Sequence, residues 1–127
     1  QMHANLAGDA DGFAGLSPVG SFKKGGTPDG VMDLSGNVYE WCLDWFARYG
    51  QQAQTDPRGP ASGKLRVIRG GAFAFDASRA RGSARGGRAP GNPGEFIGFR
   101  IVRELTADER KFFGELHKPD ALVKRFH

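Results

Sequence analysis

Residues 1–30 place their apolar side chains at neither a 2- nor a 3.6-residue period, and Asp-Gly, Gly-Gly and Pro-Asp-Gly steps punctuate them. Such steps mark turns, and a segment built from them buries too little surface to offset the entropy of ordering itself. It must be pinned by a metal, by the rest of the fold or by another chain. The chain carries 20 Gly in 127 residues, about twice the usual ~7% share. Ten Phe and two Trp argue against disorder throughout, so the expectation is one irregular, loop-rich domain. The single cysteine, Cys42, excludes an intrachain disulfide framework and leaves compartment unreadable. No apolar run approaches the ~20 residues a membrane helix needs. Gln1-Met2-His3 shows neither a basic nor an apolar leader region, so no signal peptide is visible and localisation stays open.

The first dense apolar stretch is Val31 to Trp45, followed by a polar Gln/Pro/Gly loop over 50–63. Leu65, Val67 and Ile68 give a short strand signal that Gly70-Gly71 stops. Phe73 and Phe75 alternate with small residues as a second strand, and Phe99, Ile101 and Leu105 alternate as a last strand with one buried face. Thr106-Ala107-Asp108-Glu109 has the form of a capping box. It opens a helix whose apolar face, Phe112, Phe113 and Leu116, is expected to pack on its own domain, the alternative being a docking helix for a partner. Pro119 should break that helix, and a second turn would carry Leu122, Val123 and Phe126. The division is therefore a domain over 1–104 and a helical extension over 105–127.

Charge divides unevenly. Residues 1–63 sum to −3 and residues 64–127 to +7, giving the net +4. A basic half invites an acidic ligand or nucleic acid, against the plainer reading that the arginines pair with the acidic half or lie in solvent. In the acidic half, Asn5, Asp9 and Asp11 lie in a Gly-rich loop, and Asp33 and Glu40 flank the turn Ser35-Gly36-Asn37. Calcium takes six to eight such oxygens; Asp and Asn in Gly-rich turns also simply bond nearby backbone. No EF-hand, zinc spacing or phosphate-binding Gly loop occurs. His3, His117 and His127 are dispersed, and there is no Gly-x-Ser-x-Gly element.

Four motifs occur in order: Ser17-Pro18-Val19-Gly20-Ser21-Phe22, Gly30-Val31-Met32-Asp33-Leu34-Ser35-Gly36-Asn37-Val38-Tyr39-Glu40-Trp41, Arg66-Val67-Ile68-Arg69-Gly70-Gly71 and Ile97-Gly98-Phe99-Arg100. Together, over about residues 4–104, the chain resembles the formylglycine-generating enzyme (sulfatase-modifying factor) family, whose relatives include sulfoxide synthases and the variable proteins of diversity-generating retroelements. The resemblance implies an irregular α+β, C-type-lectin-like fold with short strands, much loop and, here, a C-terminal helical tail. It also implies two structural calcium sites. One would use the Asn5 and Asp11 side chains with the Leu6 and Phe13 carbonyls; the other would use the Asp33 and Glu40 side chains with the Gly36 and Val38 carbonyls. The family domain carries an N-terminal portion ahead of the segment matching Ala4-Asn5-Leu6. The expectation is a C-terminal part of a longer or cleaved bacterial protein, with that portion, even as a separate chain, as a partner.

The family's oxidase chemistry resembles copper-dependent thiol chemistry with two cysteines between the Arg-Gly-Gly and Gly-Phe-Arg motifs. Soft thiolates hold Cu(I), and residues 72–97 contain no Cys; Ala80 stands where many bacterial relatives have one, and Ala72 where serine is usual. Cys42 falls outside the matching interval and reads as a small buried hydrophobe. No copper is expected, and no catalytic residue is assigned. The leading expectation is a non-catalytic, calcium-stabilised domain that binds a small ligand or protein through 72–97. The alternative is a copper-dependent oxidase of the formylglycine-generating or sulfoxide-synthase type. The expected contacts are Phe73, Phe75, Asp76, Ser78, Arg79, Arg88, Asn92, Glu95 and Phe96. Arg79, Arg81, Arg85 and Arg88 could clamp carboxylates or phosphates, although Arg81 and Arg85 read first as framework residues paired with buried acids. Nucleic acid is disfavoured, because Arg-Gly runs bind it best when disordered and interleaved with aromatics.

Overall fold

The computed structural model describes residues 2–116. The expectations for His117, Pro119, Leu122, Val123, Phe126 and His127 lie outside the described residues. Four short strands form one mixed sheet: β1 (Tyr39–Trp45), β2 (Arg66–Arg69), β3 (Gly86–Arg88) and β4 (Ile97–Gly98), in the order β3-β2-β1-β4. β2 pairs antiparallel with β1 and with β3, while β4 runs parallel to β1 at one edge. A single 3-10 turn (Lys23–Gly25) and one helix, α1 (Ala107–Leu116), complete the regular structure. The fold is an irregular α+β one dominated by loop.

Branched and aromatic residues place β1 and β2, since such side chains fit a half-buried pleated surface. Val67 and Ile68 are buried in β2 and Tyr39 in β1. The β1–β2 register slips between Trp41↔Ile68 and Trp45↔Arg66. The extra residues bulge outward, leaving Leu43 87% exposed. The Arg66 guanidinium then lies 3.6 Å over the Trp45 ring and donates to the Leu43 carbonyl. β3 carries glycines because Phe46 crosses it; a Cβ on Gly87 would meet that ring.

Two expected strands are absent. Residues 72–75 form a turn closed by the Phe75 amide on the Ala72 carbonyl at 2.9 Å. Gly70 and Gly71, both at positive φ, swing the chain off the sheet just before it. Phe73 and Phe75 consequently pack edge-on against the same ring, Phe96, instead of pointing to opposite faces. The Phe99–Leu105 strand also fails. Pairing to β1 ends at Gly98, and the chain leaves as Arg100 turns back to Glu40, so Phe99 and Ile101 are exposed. The helix starts where the capping box puts it: the Glu109 amide donates to Thr106 Oγ1 and the Thr106 amide to Glu109 Oε2. Among the described residues α1 contacts none of the four strands and Phe112 is about half exposed, while the side chains of Phe113 and Leu116, named for the same face, lie outside the described residues.

The segment 2–30 is pinned by hydrogen bonds. The Ala7 amide donates to the Phe75 carbonyl at 3.0 Å and the Asn37 amide to the Asn5 carbonyl at 2.8 Å. Asn5, fully buried, donates from Nδ2 to the Gly15 carbonyl at 2.7 Å and to Asn37 Oδ1 at 3.1 Å. Asn37 Oδ1 also accepts from the Ser17 amide, and Asn37 Nδ2 returns a bond to the Ser17 carbonyl. A knot of amides thus joins loop to sheet where an apolar core would normally do so.

Candidate functional site

The first set of expected calcium ligands surrounds this knot. Asp11 accepts the Leu6 amide on Oδ2 at 2.9 Å and the Phe13 amide on Oδ1 at 3.0 Å, folding the Gly-rich loop around its carboxylate. Asn5 Oδ1 is buried and lacks a hydrogen-bond partner, a state that ordinarily costs free energy comparable to a lost hydrogen bond. A buried orphan oxygen beside a carboxylate loop fits a hard cation. Among the described residues no three His, Cys, Asp or Glu side chains converge, so an ion here would combine the one Asp11 carboxylate with amide and backbone carbonyl oxygens, a mixture calcium accepts.

The second set does not fit an ion. Both Glu40 oxygens bond the Arg100 guanidinium, which also donates to the Met32 and Asp33 carbonyls at 3.0 and 3.1 Å. Asp33 Oδ2 is taken by the Gly20 amide at 2.7 Å. Gly36 and Val38 lie on the same turn, but the positive charge beside Glu40 is supplied by Arg100. Pairing with Glu40 holds the Arg100 guanidinium above its ordinary pKa. Sequence spacing could not supply the arginine sixty residues away that bonds the Glu40 carboxylate and the Asp33 carbonyl.

A cavity of about 630 Å3 opens beside β2 and β3 under the 72–97 loops. Of the expected ligand contacts, Phe75, Ser78, Arg79, Arg88 and Phe96 line it. Phe73, Asp76, Asn92 and Glu95 do not. Phe73 meets Phe96 edge-on, and Asp76 turns the loop by accepting the Ser78 amide at 2.7 Å; the Ser78 hydroxyl first, and then that amide, lowers the Asp76 pKa. The Asn92 carbonyl holds Arg88 Nε at 2.7 Å, and Glu95 is exposed. Tyr39, Ile68, Arg81, Arg85 and Ile97 also line it, with Ser83, Ala84 and Gly86. Tyr39, from the dense apolar stretch 31–45, and Ile68, from the 65–68 strand signal, carry no local pattern that marks them as lining residues.

The expected pairing of Arg81 and Arg85 with buried acids is not found. Arg81 Nε donates to the Ser78 carbonyl at 3.0 Å; Arg85 donates to the Ala47 carbonyl at 2.6 Å and lies 3.6 Å over the Tyr49 ring. Arg85 also borders a second cavity of about 560 Å3 beneath the 50–60 loop. Cys42 lines neither cavity; burial pushes its thiol pKa up, with Arg69 as the largest opposing influence.

Residues 1–105 match the Sulfatase-modifying factor enzyme 1-like domain. The chain belongs to this family. It is 36% identical over 107 residues to a formylglycine-generating enzyme of Streptomyces coelicolor, a match covering 80% of this chain and 33% of that protein. Among solved structures, PvdO from Pseudomonas aeruginosa superposes with a TM-score of 0.67 at 35% identity, over 76% of this chain and 37% of that one. Treponema denticola variable protein 1 superposes at 0.66 and 33% identity, over 76% and 34%. The chain therefore spans about a third of the length of each of these three relatives. Within the sulfatase-modifying factor family, the Arg-Gly-Gly and Gly-Phe-Arg motifs here bracket an arginine-lined cavity.

Proposed function

We propose that the chain is a binding module of the sulfatase-modifying factor class, taking a small ligand or a protein segment in the cavity under residues 72–97 without performing oxidase chemistry of its own. The observation that carries this reading is the make-up of that cavity. Its lining is arginine, aromatic and small residues, and the interval that builds it contains no thiol. Cys42 sits on β1 outside that interval and lines neither cavity, and burial raises its thiol pKa. Calcium has a structural role in this reading, bound by the Asn5 and Asp11 side chains with the Leu6 and Phe13 carbonyls. It would order residues 2–30 and give the orphan Asn5 Oδ1 a partner.

The module works joined to the remainder of a full-length domain, in the same polypeptide or as a second chain. Support comes from the share of relatives it spans and from Leu43, Phe99, Ile101 and Val102, exposed together with little apolar core beneath them. The enzymes among its relatives make the oxidase reading worth a direct test. Oxygen consumption is measured with copper and a cysteine-containing peptide. No turnover above a no-protein control is expected, and turnover that disappears in Cys42→Ala overturns the non-catalytic assignment.

A further inference from the structure

The cavity under residues 72–97 is lopsided in charge. Arg79, Arg81, Arg85 and Arg88 line it, and no Asp or Glu does. Among the described residues the guanidinium–carboxylate pairs are Arg100 with Glu40 and Arg103 with Glu109, so none of the four cavity arginines is neutralised by an ion pair. The one acid acting on them nearby, Asp76, spends its carboxylate on the Ser78 amide and lies outside the lining. What anchors the guanidinium groups is neutral: Ser78 carbonyl for Arg81, Ala47 carbonyl and the Tyr49 ring for Arg85, and the Asn92 and Pro93 carbonyls for Arg88. Those bonds fix direction while leaving further N–H donors on each five-donor fork.

Four like charges gathered in one walled cleft repel one another and focus positive potential there. An oxyanion relieves that repulsion, and planar guanidinium forks match carboxylate and phosphate oxygens. The same lining holds an aromatic cluster: Phe75 and Phe96 meet edge-to-face at 5.7 Å, with Tyr39 edge-on to Phe75 at 5.5 Å. Resting on the binding reading above, we infer that the cavity takes an organic oxyanion, a carboxylate or phosphate ester whose head is held by the arginines and whose apolar body lies on Phe75 and Phe96.

The test is calorimetric titration of the purified full-length protein with four probes of one ring size: phenyl phosphate, phenylacetate, benzyl alcohol and benzylamine. At least one anion is expected to bind about tenfold or more tightly than benzyl alcohol, the ordinary worth of a charge-assisted bond, and the stronger anion tells phosphate from carboxylate. Arg79→Gln and Arg81→Gln are each expected to weaken that anion about tenfold while leaving the ligand-free melting temperature unchanged. Benzyl alcohol or benzylamine binding as tightly as the anions overturns the oxyanion inference and leaves the binding reading standing. Anion affinity indifferent to both substitutions overturns the inference as well. No binding by any probe overturns both.

Discussion

The most enclosed large side chain in the described fold is an amide. Asn5 is fully buried, and the oxygen of Asn37 serves both it and the Ser17 amide. Asn37 manages this from a left-handed backbone, φ 62°, a conformation Asn tolerates better than most residues. Gly36 before it sits at φ 80°, where an added Cβ would collide with the Asn5 carbonyl. Asn37→Ala removes an acceptor from two donors and a donor from the Ser17 carbonyl. It is expected to destabilise the protein by about 3 kcal/mol, at about 1–3 kcal/mol per unsatisfied buried group, read as a fall in denaturant midpoint. Gly36→Ala should cost at least as much. The Gly-Asn step was legible as a turn; that its amide faces inward was not, because spacing does not say which carboxamide is buried. Cys42 gives a chemical counterpart. With its thiol pKa raised by burial, alkylation by iodoacetamide at pH 7 should be slower than for a free thiol and should climb only at more alkaline pH. A rate equal to glutathione's contradicts this.

At the scale of elements, the readable pieces were those whose cause is local. β2 was visible as Val67-Ile68 stopped by two glycines, and the start of α1 as Thr-x-x-Glu. The Phe73/Phe75 and Phe99/Ile101 alternations misled, since two positive-φ glycines and an arginine returning to Glu40 decide those paths from elsewhere in the chain. The cap of α1 carries its own test. Pairing with Arg103, helped by the Thr106 amide, lowers the Glu109 pKa from 4.5 to about 2. A carboxylate depressed in the fold contributes stability above its unfolded pKa and loses it as pH falls toward the folded value. The helix start should therefore hold at pH 5 and loosen progressively between about pH 4.5 and 2. Arg103→Ala should raise the Glu109 titration midpoint toward the ordinary value, followed by carboxyl NMR. Thr106→Ala should speed amide exchange in the first turn about fivefold, the usual worth of a cap, without moving the global melting point, because among the described residues α1 contacts no strand. A shared loss of global stability would show that the helix is docked after all.

Among the described residues few apolar side chains are buried: Phe22, Tyr39, Val67, Ile68 and Ala72. A chain of this size ordinarily relies on a larger core, so the ordering of residues 2–30 has to draw on polar contacts and on whatever completes the Asn5 site. That the amino-terminal loops need pinning was legible from their lack of periodicity, and the amide bonds of Asn5 and Asn37 provide part of it; the Arg100–Glu40 pair was not legible, because its partners stand sixty residues apart. The two carboxylate loops therefore respond differently to chelation. Removing calcium from the full-length protein should lower its melting temperature by about 5 °C or more, the shift expected for a stabilisation near 1–2 kcal/mol. Proteolysis should then cut first within 2–30. Asp11→Asn should remove most of the chelator's effect, since it withdraws charge from the fitted site while keeping a side chain of the same shape. Glu40→Gln should lower stability by weakening its pairing with Arg100 yet leave the chelator's effect intact. Identical melting curves with and without chelator would mean that Asn5 Oδ1 is satisfied by water, and that the amide knot alone carries the loop. A chelator effect lost in Glu40→Gln and kept in Asp11→Asn would move the ion to the turn where the guanidinium now lies.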